Sequence, residues 1–366
     1  MKRFKIIALP GDGIGPEITR SALSILGVVS ESCNVDFQVI EKLVGGCSIE
    51  EFGVPLTDDT LDACLSSDAV FLGAVGGPKW DSVAHDKKPE RALLDLRREL
   101  GLFSNLRPAK VFDSLASSSS LKEDIIKDTD ILIVRELTGG IYFGSPRGMD
   151  ENRAWNTLEY TRNEIERIAH VAFQLAGTRS GKLVSVHKSN VLESSQFWQN
   201  IVHDVHQNYS EIKLSDMYVD NAAMQMVQDP NQFDVIVTQN LFGDILSDIS
   251  AIITGSLGML PSASVGDRHS LYEPVHGSAP DLTGKNQANP IAAISSLAMM
   301  LDIAFDMKDV STGIYEAIDR TLDDGYRTVD ISNNNSGTVS TTEMTELIKE
   351  NCKEIFSENM VEVSYE

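Results

Sequence analysis

Residues 234–248, DVIVTQNLFGDILSD, join a short apolar run directly to a longer amphipathic segment. The run DVIVTQN is typical of a buried strand, and NLFGDILSD is typical of a helix that follows it. Similar apolar runs begin at residues 5, 68, 130 and 182, with the sequences KIIALP, DAVFLGAV, DILIVREL and KLVSVHK. Helices are predicted over residues 16–29, 161–176 and 291–303. This alternation predicts an α/β protein with parallel or mixed sheets.

Two aspartates of this stretch, Asp244 and Asp248, lie four residues apart, so their carboxylates project from the same face of the predicted helix. A third, Asp220, lies in the segment MYVDNAAM. Carboxylate oxygens are ligands that Mg²⁺ and Mn²⁺ prefer, which predicts a divalent-metal site. A solvated acidic face is the alternative in a chain with 54 acidic residues. The apolar residues around the two helical aspartates favour a cleft.

Composition limits the class of protein. The length of 366 residues and the hydrophobic content of 42% indicate a globular protein of about two domains. A net charge of -23 argues against nucleic acids and anionic membranes as partners. The cysteines lack metal-ligand spacing and are predicted to be mostly free thiols. The apolar run near the amino terminus is too short for a signal peptide or a membrane span, which predicts a cytoplasmic protein.

The glycine-rich segment GDGIGPE, residues 11–17, follows the first predicted strand. A Rossmann GxGxxG fingerprint requires glycine where this chain has Pro16, so the segment does not predict a Rossmann fold. Its glycines permit a sharp turn or a close approach to a ligand. A plain strand-to-helix turn explains them equally well.

Three arginines, Arg97, Arg107 and Arg135, lie near predicted strand ends and glycine pairs, and Tyr142 follows the last of them. The planar guanidinium group binds carboxylates in a bidentate manner, so a pocket with three arginines suits a dicarboxylic substrate. A surface ion pair is the alternative for each arginine alone.

Lys188 directly follows the strand KLVSVH, where a desolvated lysine can act as a general base. A lysine that extends along apolar surface into solvent is an equal alternative. His276 and Asp281 lie in EPVHGSAPDLTGK, a loop whose glycines permit tight turns and whose polar groups can bind a nucleotide sugar. A lone loop histidine is more often structural.

Taken in order, LPGDGIGPE, LFSNLRPAK, RELTGGIYFG, VHKSNVLE, GDILSD and HGSAPDLTGKNQANP resemble the isocitrate/isopropylmalate dehydrogenase family of β-decarboxylating dehydrogenases. The resemblance covers nearly the whole chain. It implies an isopropylmalate-dehydrogenase-like two-domain α/β fold that is not a Rossmann fold. The implied large domain comprises residues 1–102 and 255–366 and contains most of the NAD site. The implied small domain, 103–254, contains the metal ligands, Lys188 and a homodimer interface.

The resemblance further implies an activity, the NAD-dependent oxidative decarboxylation of 3-isopropylmalate in leucine biosynthesis. Lys188 accepts the C2 hydroxyl proton as hydride leaves for NAD⁺, and Tyr142 protonates C3 after CO₂ is lost. Lys188 and Asp220 reach the site from the other subunit of the dimer. The substrate carboxylates are bound by Arg97, Arg107 and Arg135, and Mg²⁺ or Mn²⁺ by Asp220, Asp244 and Asp248.

Substrate and cofactor choice are also implied. Leu93, Leu94 and Val191 form an apolar pocket for an isopropyl group, where isocitrate would have to bury a third carboxylate. Asp281 accepts hydrogen bonds from the adenosine ribose and repels a 2′-phosphate, which favours NAD⁺ over NADP⁺. The other implied cofactor-binding residues are Gly77, Glu90, His276, Gly277, Ser278, Ala279 and Asn289.

Three alternatives stay open. The first is a sister dehydrogenase for tartrate, D-malate, isocitrate or homoisocitrate, against which Leu93 and Leu94 argue. The second is a non-catalytic paralogue, which would be expected to lack a metal ligand or the base, although Lys188 and Tyr142 are both present. The third is an acidic interaction protein whose carboxylates only solubilise it.

Overall fold

The structure, a computed structural model, describes residues 2–84, 87–333 and 337–363, with side chains as far as residue 358. It divides into two compact units. Unit 1 comprises Met1–Leu100, Ser256–Ala263 and Asp267–Glu366, and unit 2 comprises Gly101–Gly255 and Ser264–Gly266. The segment Ser264–Gly266 was predicted in the large domain. It falls in unit 2, where the Phe103 amide donates to the Val265 carbonyl oxygen over 3.2 Å.

Unit 1 contains a sheet of mainly buried strands. Its strands are β1 (Arg3–Gly11), β2 (Asp36–Glu41), β3 (Ala69–Ala74), β12 (Ser270–Pro274) and β11 (Pro261–Val265), which belongs to this unit as far as Ala263. They are arranged in the order β2-β1-β3-β12-β11, and β1 pairs in parallel with β2 and β3. Strand β12 also pairs in parallel with β3. Every residue of β3 is buried, as expected for a central parallel strand.

The helices of unit 1 are α1 (Gly15–Cys33), α2 (Gly46–Phe52), α3 (Asp58–Leu65), α4 (Glu90–Glu99), α10 (Ile291–Ile303), α11 (Lys308–Asp323) and α12 (Thr341–Val363). Helix α1 has a proline in its first turn, and its carboxyl end is formed by Asn34 in the left-handed conformation. Helix α10 is buried from Ile291 to Leu301, and it packs against α1, α11 and β12. It is therefore the central helix of this unit.

Unit 2 contains β4 (Ser104–Lys110), β5 (Asp130–Glu136), β8 (Lys182–His187), β9 (Lys213–Tyr218) and β10 (Val235–Thr238), in the order β4-β5-β10-β8-β9. Strand β4 is antiparallel to β5, and the other neighbours are parallel. A small hairpin consists of β6 (Gly148–Met149) and β7 (Ala154–Trp155). The carboxyl ends of β5, β8, β9 and β10 therefore lie at one edge of the sheet, where α/β proteins bind ligands.

The helices of unit 2 are α5 (Glu123–Ile126), α6 (Arg162–Gly177), α7 (Glu193–His206), α8 (Val219–Gln228) and α9 (Asn240–Thr254). Helix α6 begins with a capping box, in which Thr161 accepts from the Glu164 amide and Glu164 accepts from the Thr161 amide. Helix α9 follows β10 almost directly, as the sequence DVIVTQNLFGDILSD predicts.

The predicted α/β class with parallel and mixed pairing is confirmed. The five quoted apolar runs coincide with β1, β3, β5, β8 and β10, and the helices predicted at 16–29, 161–176 and 291–303 coincide with α1, α6 and α10. Cys33, Cys47, Cys64 and Cys352 are all free thiols. Within the described ranges, no helix has the length and apolar character needed to cross a membrane.

Candidate active site

Helix α9 presents Asp244 beside its own buried face. The buried positions include Gly243, Ser247 and Ser250, which pack against the sheet of unit 2. A Cβ added at Gly243 would lie 2.6 Å from Cγ of Arg135. Glycine is needed here because the stem of Arg135 crosses the helix at this point.

Arg135 lies near the carboxyl end of β5 and is only 1% exposed. Its guanidinium group pairs with the Asp244 carboxylate. Its Nε and Nη2 atoms donate to Oδ1 of Asn240, over 3.2 and 2.9 Å. A buried guanidinium with a carboxylate and an amide as acceptors is held in one orientation.

Arg107, on β4, lies next to both helical aspartates. Its Nη1 atom is 3.6 Å from Oδ1 of Asp244 and 3.7 Å from Oδ1 of Asp248. Its Nε donates to Asn105 over 2.7 Å, and Nη1 donates to Ser247 over 2.6 Å. Partial burial and the neighbouring Asp244 carboxylate raise the pKa of Asp248, and Arg107 opposes that rise.

Tyr142 ends a 3₁₀ turn, Gly140–Tyr142, and its hydroxyl donates to Oδ2 of Asp244 over 2.8 Å.

The loop before this turn is tied to the buried carboxylate of Glu136. That carboxylate accepts from the Thr138 amide over 2.9 Å and from the Gly139 amide over 2.8 Å. Burial raises the pKa of Glu136, and the two amides oppose the rise. The loop carrying Tyr142 is thus anchored directly after Arg135.

Lys188 and Asp220 form a second group at the same edge of the sheet of unit 2. Lys188 follows β8 and Asp220 lies in the first turn of α8, directly after β9. The Lys188 Nζ donates to Oδ1 of Asp220 over 2.5 Å, and this hydrogen bond lowers the pKa of Asp220. The same ammonium lies 5.9 Å from the centre of the Tyr218 ring.

A buried histidine lies directly before Lys188. The Nε2 atom of His187 is 3.1 Å from Oδ1 of Asp216, and Nε2 of His203 is 2.7 Å from Oδ2 of the same carboxylate. Burial alone raises the pKa of Asp216, but hydrogen bonds from His187, His203 and Gln199 lower it to about 2. This network fixes the end of β8 against β9.

The metal ligands predicted from the sequence are therefore divided between two groups. Asp244 and Asp248 lie together with Arg107, whereas Asp220 is paired with Lys188. In the part of the chain that the structure describes, no three His, Cys, Asp or Glu side chains are grouped to hold a metal ion. The oxygen donors of Asp244 and Asp248 suit a hard divalent cation, and they need further ligands to complete its coordination.

In unit 1, helix α4 carries the predicted substrate-binding residues of the segment PERALLDLR. Arg97 is buried, and its Nη2 donates to Oε1 of Glu273 on β12 over 3.1 Å. Its Nε atom is buried with no hydrogen-bond partner among the described residues. Leu93 and Leu94 are half-buried on the same helix. Val191, which follows Lys188 in unit 2, is 64% exposed.

The predicted cofactor-binding loop follows β12 in unit 1. The His276 Nδ1 atom lies 2.9 Å from the Gly277 carbonyl oxygen. Its Nε2 atom is buried and finds no hydrogen-bond partner within the described ranges, and burial lowers the pKa of His276. Ala279 has a left-handed backbone with φ +38°, and it precedes the 3₁₀ turn Pro280–Leu282 that exposes Asp281. A ring nitrogen without a partner among the described residues, in the same loop as an exposed carboxylate, fits a polar ligand such as a nucleotide.

Asn289, the last of the predicted cofactor-binding residues in this region, is buried, and its side-chain amide forms hydrogen bonds within unit 1. Its Nδ2 donates to Oδ2 of Asp330 over 3.1 Å, and its Oδ1 accepts from the Ile291 amide over 3.0 Å. It thereby satisfies the backbone amide of the first residue of α10. Glu90, at the start of α4, lies against Gly76, the residue before Gly77.

Several residues that contact the predicted site residues were not predicted from the sequence. Asn240 binds Arg135 through Oδ1 and donates through Nδ2 to the carbonyl oxygens of Leu137 and Gly139, both over 3.1 Å. It therefore connects the arginine with the Tyr142 loop. A signal was present, because polar residues directly after predicted strands point to the ligand-binding edge of a parallel sheet. The others are Asn105, Glu136, Ser247 and Glu273.

Comparison with known proteins defines the class. The family model described as isocitrate/isopropylmalate dehydrogenase matches residues 5–348. The chain therefore belongs to this family of oxidoreductases, and the predicted resemblance is confirmed.

Individual relatives agree with this assignment. The chain is 59% identical over 346 residues to the 3-isopropylmalate dehydrogenase of Chlorobaculum tepidum, with 94% of this chain and 98% of that protein covered. It is 53% identical over 359 residues to the 3-isopropylmalate dehydrogenase of Aquifex aeolicus, covering 97% and 99%. The crystal structure of isocitrate dehydrogenase from Methylococcus capsulatus matches with a TM-score of 0.85 and 34% identity, covering 96% and 99%.

Proposed function

We propose that this protein is a dehydrogenase that uses NAD⁺ to convert (2R,3S)-3-isopropylmalate into 4-methyl-2-oxopentanoate and CO₂, a reaction of leucine biosynthesis. The observation that carries the proposal is the group formed by Arg107, Arg135, Tyr142, Asp244 and Asp248 at the ligand-binding edge of unit 2. The relatives named 3-isopropylmalate dehydrogenase support the choice of substrate.

Arginine side chains bind the two carboxylates of the substrate. Arg107 and Arg135 are held by Asn105 and Asn240, so their donors are oriented before a ligand arrives. Arg97 brings a buried Nε that has no partner among the described residues, and such a donor gains from an anionic ligand.

Asp244 and Asp248 supply oxygen ligands for Mg²⁺ or Mn²⁺, with Asp220 of a second subunit as the third carboxylate. When bound there, such an ion would supply Lewis-acid stabilisation of the negative charge that develops on the substrate. Before binding, Arg107 lies within 3.7 Å of the two carboxylates and reduces their mutual repulsion. The donor set therefore fits a hard cation.

Two groups of this chain move protons. The Lys188 amine accepts the C2 hydroxyl proton, directly or through water, while hydride leaves C2. Its partner Asp220 keeps it at the edge of the sheet. After CO₂ departs, the Tyr142 hydroxyl donates a proton to C3. Asp244 orients that hydroxyl by accepting its hydrogen bond.

The loop from His276 to Asp281, with Gly77, Glu90 and Asn289, binds the dinucleotide. NAD⁺ supplies the acceptor for the hydride. Asp281 is exposed, so its carboxylate is available to the ribose hydroxyls and repels a 2′-phosphate. The Nε2 atom of His276, which has no hydrogen-bond partner in the described part of the chain, is a further candidate contact.

A homodimer completes each site in this proposal. Helices α8 and α9 pack together and carry exposed apolar side chains, Met224, Ile245 and Ile252, beside the acidic ligands. Exposed apolar side chains around functional residues are typical of a protein interface. Val191, which follows Lys188, is also exposed. A second copy would cover these side chains and exchange Lys188 and Asp220 between subunits.

Isocitrate is the second candidate substrate, because a solved isocitrate dehydrogenase matches the structure closely. The half-buried Leu93 and Leu94 argue against it, since they offer no partner to a third carboxylate. An apolar isopropyl group is the better match for such side chains.

The test is formation of NADH by the purified protein with 3-isopropylmalate, isocitrate, D-malate or tartrate. Each substrate is assayed with Mg²⁺ and after chelation by EDTA. The proposal expects the highest kcat/KM for 3-isopropylmalate with NAD⁺, and loss of that activity in EDTA. A higher kcat/KM for isocitrate would mean that isocitrate, not 3-isopropylmalate, is the substrate. Turnover without a metal ion would refute the role of the aspartates as metal ligands.

A further inference from the structure

The carboxylate of Asp12, in the segment GDGIGPE, accepts hydrogen bonds from three backbone amides of two other segments. Asp12 is only 5% exposed. Its Oδ2 accepts from the amides of Gly46 and Gly76, over 2.7 and 2.8 Å, and its Oδ1 accepts from the amide of Cys47 over 2.8 Å. One side chain thereby joins the loop after β1 to the loop after β3 and to the start of α2.

The loop after β3 leads directly to residues assigned to the cofactor. The Gly76 amide that Asp12 binds belongs to the residue before Gly77. Gly76 has a φ of +103°, and a Cβ added there would overlap Oε1 of Glu90. Asp12 and the Glu90 carboxylate therefore contact the same backbone turn, at Gly76.

The residues that follow Asp12 lie against the loop after β12. The Ile14 amide donates to the Ser278 carbonyl oxygen over 2.9 Å. Gly13 has a φ of +61°, and a Cβ added there would overlap the same carbonyl group. The backbone of residues 13–14 thus packs directly against the His276–Asp281 loop.

We propose that Asp12 is a positioning residue for the dinucleotide. It holds the Gly76–Gly77 turn directly, and it holds the His276–Asp281 loop through Gly13 and Ile14. Asp12 does not contact the ligand itself. The inference rests on the proposed function, because the assignment of these loops to a dinucleotide comes from it.

The position of these loops explains why a buried carboxylate is needed to hold them. The loops after β1, β3 and β12 all follow the carboxyl ends of parallel strands of unit 1, and loops are less constrained than the strands that they follow. A carboxylate has enough lone pairs to accept from several amides at once, whereas an amide side chain has a single oxygen acceptor. Without the carboxylate, buried amides lose their acceptor and the loops must be ordered by the ligand, which weakens binding.

The main test is the variant Asp12→Asn, with NADH and NADPH as probes in fluorescence titrations of the purified protein. We expect the Kd for NADH to rise about tenfold. The KM for NAD⁺ should rise with it, while kcat changes much less, because the reacting groups are intact. The matched control is Asp234→Asn in unit 2. Asp234 is also a buried aspartate, and it accepts from the Ser180 amide over 2.8 Å, far along the chain from every cofactor loop.

A second pair of variants tests the same idea without changing Asp12. Gly13→Ala and Gly53→Ala both place a Cβ on a left-handed residue, with φ +61° and +78°. At Gly13 the added atom meets the Ser278 carbonyl group, whereas at Gly53 it meets nothing within 4 Å. Backbone strain is therefore matched, and only Gly13→Ala should weaken NADH binding. If Asp12→Asn does not fold, this pair tests the part of the proposal that runs through Gly13 and Ile14, and equal NADH binding by the two variants would overturn it.

The outcomes separate the inference from the function on which it rests. Wild-type protein that binds neither NADH nor NADPH would overturn both. Wild-type protein that binds NADH, with Asp12→Asn binding equally tightly, would overturn the positioning role alone. Equal weakening by Asp12→Asn and Asp234→Asn would also overturn it, because the effect would then follow general loss of stability. Selective weakening by Asp12→Asn and Gly13→Ala is the expected result.

Discussion

The Tyr142 hydroxyl donates a 2.8 Å hydrogen bond to Oδ2 of Asp244, whose other oxygen pairs with the buried guanidinium of Arg135. The proposed proton donor, the proposed metal ligand and a proposed carboxylate receptor are therefore in direct contact within unit 2. Each constrains the next, because Asp244 can accept from Tyr142 only where Arg135 holds it. Changes at the Tyr142 hydroxyl or the Asp244 carboxylate should affect chemistry before they affect folding of the unit.

Replacement of Tyr142 by phenylalanine should lower kcat by about 100-fold to 1,000-fold, because the proposed proton donor to C3 is lost. The KM for 3-isopropylmalate should change little, since the ring remains. Steady-state kinetics and a thermal melt measure both effects. The control is Tyr209→Phe, which removes a hydroxyl 3.0 Å from Nδ1 of His170. A Tyr142→Phe enzyme with normal kcat would exclude Tyr142 as the proton donor.

The double variant Asp244→Asn and Asp248→Asn should lose Mg²⁺ binding and reduce turnover by about 1,000-fold, because both anionic ligands become neutral at nearly constant volume. Titration calorimetry with Mg²⁺ measures binding independently of activity. Asp58→Asn with Asp62→Asn is the matched control, an exposed pair four residues apart on α3. Unchanged Mg²⁺ affinity in the α9 variant would refute the metal assignment.

The sequence predicts the strands that consist of continuous apolar runs, because burial on both faces of a parallel sheet demands such runs. Strand β3 and strand β10 are of this kind. Strand β4, SNLRPAK, contains Arg107 and Pro108, and strand β9, KLSDMY, has several exposed residues, so neither has the apolar pattern. These strands are defined by pairing with their neighbours, which one sequence does not reveal.

The same limit applies to the candidate site. Asp244 and Asp248 were predictable as a pair because helical spacing alone places them on one face. The contact between Asn240 and Arg135 joins residues 105 positions apart, and it exists only because β5 and β10 are adjacent. The fit of Gly243 against Arg135 likewise depends on the packing of α9 on β5. Residue chemistry was readable from the sequence, but the partners of each residue were not.

Cofactor preference should respond to the charge of residue 281. Replacement of Asp281 by lysine should lower the ratio of kcat/KM for NAD⁺ to that for NADP⁺ by about tenfold or more, because a ribose acceptor is exchanged for a cation that attracts a 2′-phosphate. The control Asp267→Lys makes the same charge change at an exposed position of unit 1. An equal ratio in the two variants would mean that residue 281 does not contact the ribose.

The network of Asp216 with His187 and His203 should make stability depend on pH. Because the folded-state pKa of Asp216 is lowered to about 2, its contribution is present above the pKa of the unfolded chain and is lost as pH falls towards 2. After allowance for its partial exposure, the contribution is about 1 kcal/mol at neutral pH. Asp216→Asn should therefore destabilise the protein at neutral pH and have a smaller effect near pH 3, as measured by urea unfolding. Asp204→Asn, at an exposed position of α7, is the control for the loss of one carboxylate.

Shared active sites should be detectable by mixing two inactive variants. Lys188→Ala lacks the proposed base, and Tyr142→Phe lacks the proposed acid, so each homodimer should be nearly inactive. If Lys188 acts in the site of the partner subunit, a heterodimer has one site with both lesions and one with neither. Random exchange makes half of the dimers heterodimers, so about a quarter of wild-type activity should return.

The structure favours these two residues for the experiment. The Lys188 side chain lies at the protein surface beside Asp220, and loss of the Tyr142 hydroxyl leaves the ring in place, so both variants should fold. Arg135 would be a poor choice, because its buried stem packs against Gly243. The variants carry different affinity tags, are co-expressed, and heterodimers are isolated with both tags before NADH formation is assayed. Isolated heterodimers should have about half of wild-type activity. Inactive heterodimers would place Lys188 and Tyr142 in the same site of one subunit and refute the shared site.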